Sequence, residues 1–305
     1  MSAPVQLTRP RWPIRVARAW ARVPASSILN GTDDSVGSVE ADLPARMRAA
    51  LASMTGRFMA DDGSVDYVAL GASSVYSDYV QLANALWRFD LGALAEDAVR
   101  KAFWLNLYNS LILHAVIDHQ LQKAPQRGMF ERAAYAVSGY RFSANDIEHG
   151  ILRANRPHVL ALGTQFGRGD ARLAYSVTVF DARIHFALNC AARSCPPIRA
   201  YEPARLDQQL DLAAALFLNG GQAVLDRATM RVGLSRLFSF YGPDFGGGVL
   251  GLGGNDRLLL YAARYLADAD DRAFVQMHAR QLRVHFLPYD WSLNANDISP
   301  QSHSA

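Results

Sequence analysis

The sequence is poor in cysteine and in lysine. Among its 305 residues, only Cys190 and Cys195 are cysteines and only Lys101 and Lys123 are lysines. A chain of this length can bury about 75% of the surface that its unfolded form exposes, so its fold does not depend on disulfides. The net charge of +3 comes from 31 Lys+Arg against 28 Asp+Glu, and nearly all the positive residues are arginine. This bias is typical of GC-rich bacterial coding, and we expect no nucleic-acid partner.

Long apolar runs are also missing. No stretch of about 18 apolar residues occurs, so the sequence predicts no transmembrane helix. The first residues are basic and carry Trp12 and Trp20, but they lack the apolar core of a secretory signal. As it stands the sequence predicts a cytoplasmic protein, with export open if the true N-terminus differs. The redox state of the two cysteines stays open, because they could also bridge each other.

Internal repeats and low-complexity tracts are absent as well. The hydrophobic fraction of 50% and the charged fraction of 19% are typical of a folded globular chain. We expect three parts, which are a basic N-terminal arm over residues 1–35, a single globular domain over 36–296 and a tail over 297–305.

A long apolar segment from about Ala93 to Leu121 predicts a helix. Apolar residues lie on nearly every face of it, which is typical of a buried, central helix. Its two asparagines, Asn106 and Asn109, are three residues apart and share a face. A buried amide must find hydrogen-bond partners. These side chains therefore either tie the helix to adjacent loops or line a site.

Short elements are predicted after this helix. Alternation from Tyr135 predicts a hairpin, and Ser143 with Asp146 forms a capping-box pattern for a helix over 144–154. Glu148 and His149 lie on that predicted helix, followed by Arg153 four residues after the histidine.

The second half of the chain mixes both element types. The stretches LAYSVTVF and RIHFALN, within 171–189, are β-branched and aromatic and predict strands, although the second could also begin a helix. A helix is predicted after Pro203, a hairpin around 226–229, further helices, and a last strand in LRVHF. The predicted class is α+β, a mainly helical single domain with a central buried helix and short antiparallel strands or hairpins.

Four segments together resemble one known family. They are AFWLNLYN (102–109), DIEHGILR (146–153), IHFALNCAARSCPP (184–197) and YDWSLN (289–294). In order and spacing, over roughly residues 65–295, they are similar to the domain of unknown function 547 family. The resemblance implies no established activity. In this family we expect glycine where the chain has Ala191, which would indicate a turn with positive φ. The residues that stand in the family's motifs are Asn106, Asn109, Glu148, His149, His185, Asn189, Cys195, Asp290 and Asn294.

The surroundings of Cys195 favour thiol chemistry. A nucleophilic cysteine needs a stabilised thiolate and a base held by an acid or amide. Cys195 lies in a polar loop between Arg193 and Pro196. We therefore predict a thiol-dependent hydrolase or acyl transferase, of the cysteine-peptidase or transglutaminase-like kind. The predicted catalytic residues are Cys195, His185, His149 and Glu148. The predicted substrate-binding residues are Asn106, Asn109, Arg153, Asn189 and Arg193.

Two other functions stay open at this point. The same motifs could form a non-catalytic module that binds a peptide or a small-molecule ligand. A metal-dependent hydrolase could use His149, His185 and Cys195, but no paired ligand spacing such as HExxH or CxxC is present. We therefore predict no metal and no cofactor. If the site is catalytic, the first three family segments should converge on one cleft, with the long helix as its floor.

Overall fold

A computed structural model of the protein describes most of the predicted domain. The described residues are 5–6, 27–31, 42–121, 128–157 and 163–296. The predicted tail over 297–305 and most of the predicted arm over 1–35 lie outside them. Within the described part, no helix is both long enough and apolar enough to span a membrane.

Helices dominate the fold, as predicted, and short strands connect them. The α-helices are α1 (Leu43–Phe58), α2 (Tyr67–Gly71), α3 (Ser74–Asn84), α4 (Asp97–Asp118), α5 (Met129–Arg132), α6 (Leu206–Phe217), α7 (Leu237–Phe240), α8 (Asn255–Ala263) and α9 (Ala269–His278). The strands are β1 (Ala134–Val137), β2 (Tyr140–Ser143), β3 (Ala223–Asp226), β4 (Arg231–Leu234) and β5 (Arg283–Phe286).

Helix α4 is the central buried helix that its composition predicts. Every residue from Lys101 to Val116 is buried, including the fully buried Trp104. Because apolar side chains leave this helix in all directions, α1 and α2 pack against it on one side and a π-helix at Asp146–Leu152 packs on another. The larger apolar core of the protein is built around it.

The predicted hairpin and the predicted cap both occur. Strands β1 and β2 pair antiparallel. Ser143 Oγ then accepts the Asp146 N–H at 3.1 Å, and Asp146 Oδ2 accepts the Ser143 N–H at 3.0 Å. This reciprocal capping box starts the helix, which takes π geometry from Asp146 to Leu152. Gly150 lies on it under the ring of Phe166, where a Cβ would lie 2.3 Å from ring carbons.

A three-stranded sheet anchors the second half of the chain. Strand β4 pairs antiparallel with β3, as the predicted hairpin requires, and parallel with β5. Helices α6, α8 and α9 contribute to a second apolar cluster beside this sheet. The side chain of Phe180 packs against both clusters, so the two cores adjoin.

The strand predicted for LAYSVTVF is wrong, and RIHFALN begins a short helix, the alternative left open, instead of a strand. Two 3₁₀ turns lie in this region, at Ala171–Tyr175 and Ala182–Phe186. Each turn is capped by the aspartate before it, since Asp170 accepts the Arg172 N–H and Asp181 accepts the Arg183 N–H. Such local side-chain bonds compete with a β-ladder for the backbone, and here they override the β-branched composition.

Candidate active site

The loop that carries both cysteines is fixed to the central helix by amides. Asn109, on α4, donates from Nδ2 to the Ala187 carbonyl at 3.0 Å and accepts the Asn189 N–H on Oδ1, also at 3.0 Å. Asn189 in turn accepts the Ala191 N–H at 2.7 Å and donates to the Pro196 carbonyl at 2.7 Å. One buried asparagine therefore closes the loop from 189 to 196, and a second one positions it.

Asn106 makes the same kind of tie further along the chain. Its amide bonds both the N–H and the carbonyl of Tyr201, at 2.7 Å and 2.8 Å. Asn106 and Asn109 thus do what the first interpretation of the helix amides expected, which is to bind α4 to loops. That they also contact a substrate stays a prediction.

A second segment of the chain supports the same loop. The Arg193 N–H donates to the Ser292 carbonyl at 2.9 Å, and the Asn294 N–H donates to the Ala191 carbonyl at 2.9 Å. The YDWSLN segment therefore runs alongside the cysteine loop and bonds it through the backbone. Arg193 itself is exposed, and its Nη2 donates to the Ala295 carbonyl.

The two sulfur atoms lie against each other at the centre of this loop. Cys190 Sγ and Cys195 Sγ are 2.7 Å apart, and both residues are partly exposed. Cys195 Sγ also accepts the Cys190 N–H at 3.2 Å and lies 3.1 Å from the Tyr289 hydroxyl. Ala191, between them, has φ of 66°, so the turn is in the left-handed region where the family pattern led us to expect glycine.

The environment separates the pKa values of the two thiols. Burial opposes a thiolate at Cys195, but hydrogen bonds from Cys190 and Tyr289 outweigh it and lower the pKa of Cys195. The contact with Cys195, followed by burial, raises the pKa of Cys190 well above its ordinary value. The phenol of Tyr289 stays protonated, because burial and the adjacent thiols raise its pKa as well. Tyr289 is thus a donor to the Cys195 sulfur.

A second polar group surrounds Glu148 on the π-helix. Glu148 Oε1 accepts the Tyr241 hydroxyl at 2.5 Å, and Oε2 accepts the Tyr108 hydroxyl at 3.4 Å. Burial and the charge of Glu148 raise the pKa of both phenols, and a charge on Cys190 adds to the effect. Both tyrosines therefore stay protonated and hydrogen-bonded to Glu148.

A histidine and an aspartate form the third group. His185 Nε2 is 2.9 Å from Asp244 Oδ2, and the His185 ring stacks on Tyr241 with centroids 3.8 Å apart. Arg153 donates to both Asp244 oxygens, at 2.7 Å and 3.0 Å. Burial raises the pKa of the Asp244 carboxyl, but His185 and Arg153 outweigh it and hold that pKa well below its usual range. Arg156 Nε also lies 3.4 Å from Asp244 Oδ1, so Asp244 is a buried carboxylate with three partners.

His149 is buried next to these residues. Its Nδ1 lies 3.4 Å from an Arg153 nitrogen, which can only donate, so Nδ1 is the acceptor. Burial, followed by the charge of Arg153, lowers the pKa of His149 to about 3. The imidazole is therefore neutral at physiological pH.

The first three family segments contact one another at α4, whereas the cleft that they were predicted to line stays a prediction. Tyr108 contacts Glu148, and Asn109 bonds the stretch before Cys190, so all three segments meet at this helix. Sequence reasoning missed four members of the site, Tyr108, Tyr241, Asp244 and Tyr289. Tyr108 and Tyr289 stand inside the family segments, which was an available signal, whereas Tyr241 and Asp244 stand outside them.

Metal-ligand geometry is not present in the described part of the chain. There, no three His, Cys, Asp or Glu side chains are grouped so that they could hold a metal ion. His185 and Arg153 occupy the oxygens of Asp244 instead. The metal-dependent hydrolase therefore has no observation in its favour.

Alkylation should distinguish the two thiols. We expect iodoacetamide at neutral pH to modify Cys195 of the reduced native protein before Cys190, because only the thiolate reacts and the pKa of Cys195 is the lower one. Peptide mapping by mass spectrometry after short reaction times gives the ratio. In urea the two rates should become equal. Preferential modification of Cys190 in the native protein would contradict the assignment.

A comparison with family models finds a match over part of the chain. Residues 93–218 match the model described as a protein of unknown function, DUF547. This confirms the resemblance over that part of the chain, which holds the first three family segments. The fourth segment, with Tyr289, and the Asp244 turn lie beyond it. Comparisons with curated proteins and with solved structures found no match.

Proposed function

We propose that this protein is a thiol-dependent hydrolase or acyl transferase in which Cys195 is the nucleophile. The observation that carries the proposal is the set of donors around one sulfur. Cys195 Sγ receives the Cys190 N–H and faces the Tyr289 hydroxyl, and the pKa of Cys195 is lowered although the group is desolvated. A thiolate held in this way can attack a carbonyl carbon without first losing a proton to a base.

His185 and Asp244 supply the second part of such chemistry. An imidazole that protonates a leaving group and later activates water needs a partner that fixes its ring, and Asp244 does this at Nε2. Nδ1 is then the nitrogen that would exchange a proton. Arg153 keeps Asp244 ionised and in place. We assign His185 the acid and base role, with Asp244 and Arg153 as positioning residues.

Glu148 and its two tyrosines would complete the polar side of the site. Because their pKa values are raised, Tyr108 and Tyr241 remain donors at neutral pH. Both already donate to Glu148, so the carboxylate and the phenols hold one another in fixed positions. Each phenol has a single O–H, and Glu148 accepts both, so these residues would shape the polar side of the site and would not donate to the reacting group.

A binding module without turnover is the second candidate, and an aromatic cluster favours it. Tyr289 contacts Trp291 and Phe240, with ring centroids 4.5 Å and 5.8 Å apart, and Trp291 is 45% exposed. Exposed aromatic rings next to a polar site suit an apolar peptide side chain or a small ligand.

Acylation by an activated ester tests the proposal. Reduced protein mixed with a p-nitrophenyl ester should release a burst of p-nitrophenolate equal to the protein concentration and carry the acyl group on Cys195. The Cys195→Ala variant should give neither, whereas Cys190→Ala, which removes one donor to the Cys195 sulfur but not the sulfur itself, should still place the acyl group on Cys195 at a lower rate. An equal burst from Cys195→Ala, or no adduct on the wild-type protein, would contradict the thiol-dependent enzyme and favour the binding module.

The role of His185 has a matched control in His114. Both are buried histidines that bond one side chain, but His114 lies in the core against Tyr135. His185→Gln should slow release of the acyl group by about 100-fold or more, the usual contribution of general acid and base catalysis. His114→Gln should leave that rate unchanged in the folded protein. Equal slowing by both changes would point to a structural role.

A further inference from the structure

The spacing of the two thiols goes beyond what a single nucleophile requires. A disulfide bond is about 2.0 Å long, so at 2.7 Å the sulfurs of Cys190 and Cys195 are within about 0.7 Å of bonding distance. Acyl transfer at Cys195 has no need of a second thiol in this position. The nucleophile role also does not explain why the thiol of Cys190 lies against Cys195, a contact that raises the pKa of Cys190.

The loop holds the two sulfurs together independently of any bond between them. Ala191 takes a left-handed conformation that turns the chain back, and the Cys195 N–H donates to the Ala192 carbonyl at 3.0 Å. Asn189 bonds both ends of the loop, at Ala191 and at Pro196. Because the amide and the turn fix the backbone, only a small side-chain movement separates the dithiol from the disulfide.

The two thiols also differ in the way that thiol–disulfide exchange requires. The attacking thiol must be a thiolate and accessible, and a second thiol must then displace the first partner. Cys195 receives the hydrogen bonds that stabilise a thiolate, and Cys190 keeps its proton. Both residues are partly exposed and lie beside the exposed Arg193, so the loop that carries them borders solvent.

We propose that Cys190 and Cys195 form a two-electron redox pair that reduces low-molecular-weight disulfides. The Cys195 thiolate attacks one sulfur of the substrate, which breaks the substrate S–S bond, forms a mixed disulfide and releases one thiolate. Cys190 then loses its proton to solvent and attacks Cys195 Sγ, which releases the second thiolate. The substrate disulfide gains two electrons and becomes two thiols, while the dithiol becomes the Cys190–Cys195 disulfide.

Glutathione disulfide is the probe for this activity. Added to reduced wild-type protein, it should remove both protein thiols, measured by thiol titration, and the intact mass should fall by two hydrogens without a glutathione adduct. Cys190→Ser should stop at a stable mixed disulfide on Cys195, because the displacing thiol is missing. Cys195→Ser should react at least 10-fold more slowly than the wild-type protein. A lasting glutathione adduct on the wild-type protein, or no loss of its thiols, would overturn the proposal.

The same protein in urea supplies the control for the fold. The glutathione ratio at which half the protein is oxidised measures how strongly the structure favours the intramolecular disulfide. Native protein should be half-oxidised at a glutathione ratio at least 10-fold more reducing than unfolded protein. The folded loop already holds the two thiols together, so closing the disulfide costs less chain entropy. Equal ratios in the two states would show that the fold does not stabilise the Cys190–Cys195 disulfide, and would also overturn the proposal.

The redox pair and the acyl nucleophile share Cys195, but their failures can be separated. Ester acylation is measured on the reduced wild-type protein, and closure of the disulfide is measured on the same protein with glutathione disulfide. Acylation without closure would overturn the redox pair alone. Closure without acylation would support the redox pair and leave the hydrolase or transferase without its nucleophilic step.

Discussion

Replacing Asp244 with alanine is expected to lower the free energy of unfolding by about 3–5 kcal/mol, the usual cost of leaving a buried charge without its partner. The carboxylate is 1% exposed and bonds both His185 and Arg153, whose guanidinium is itself buried. Without Asp244, the Arg153 charge and the His185 nitrogen both lose their acceptor. Urea unfolding followed by circular dichroism gives the difference.

Asp207 is the matched control for this change. It also accepts from an arginine, Arg183, but its side chain is 82% exposed. Exposed ion pairs contribute about 0–1 kcal/mol, so Asp207→Ala should hardly alter the unfolding midpoint. Similar losses for Asp207→Ala and Asp244→Ala would contradict the buried network. Because the pKa of Asp244 is depressed, the stability that it contributes is present above the pKa of the unfolded chain and disappears as the pH falls below it.

A loss of stability of about 4 kcal/mol between pH 8 and pH 5 is expected from two buried histidines. Burial lowers the pKa of His114 to about 4 and that of His149 to about 3. Both are therefore neutral in the folded protein at pH 5, whereas the unfolded chain, with histidine pKa values of about 6.5, binds a proton at each. Stability thus falls with pH from about 6.5 downward, by about 2 kcal/mol per histidine at pH 5.

Single variants isolate each contribution. His114→Gln and His149→Gln remove one titrating group each, so each should lose less stability than the wild-type protein on acidification to pH 5. Measurement at pH 8, where both histidines are neutral in both states, gives the packing cost of each substitution. The titration is the difference between the two pH values. A variant whose stability falls as steeply as that of the wild-type protein would show that its histidine does not titrate on unfolding.

The sequence pattern predicts those parts of the fold that rest on local physics. Helix α4 follows from an apolar surface on all sides, and the capping box at Ser143 follows from two side chains three residues apart. The strand predicted for LAYSVTVF is absent for a physical reason, and the same reason makes RIHFALN begin a short helix. Asp170 and Asp181 cap short turns through side-chain hydrogen bonds. The strand propensity of the residues that follow does not take these bonds into account.

The sequence likewise predicts only those residues of the candidate site that local motifs indicate. Segments with family patterns contain Glu148, His185 and Cys195, whose residue types suggest chemistry by themselves. Asp244 is different, because its role comes from contacts with His185 and Arg153, which are 59 and 91 residues away. No spacing along the chain indicates such a contact. The tyrosines were missed because an aromatic residue in an apolar stretch is more often part of a core.

The backbone pairing between the cysteine loop and the YDWSLN segment determines how much of the chain a working fragment must contain. The family match covers residues 93–218, but the Tyr289 hydroxyl and the carbonyl of Ser292 lie far beyond it. A fragment cut at 218 would present both cysteines without their donor and without the strand-like neighbour that holds their loop. Truncations intended to isolate the thiol chemistry should therefore extend to Asn296, whose N–H donates to the carbonyl of Val65, shortly before α2.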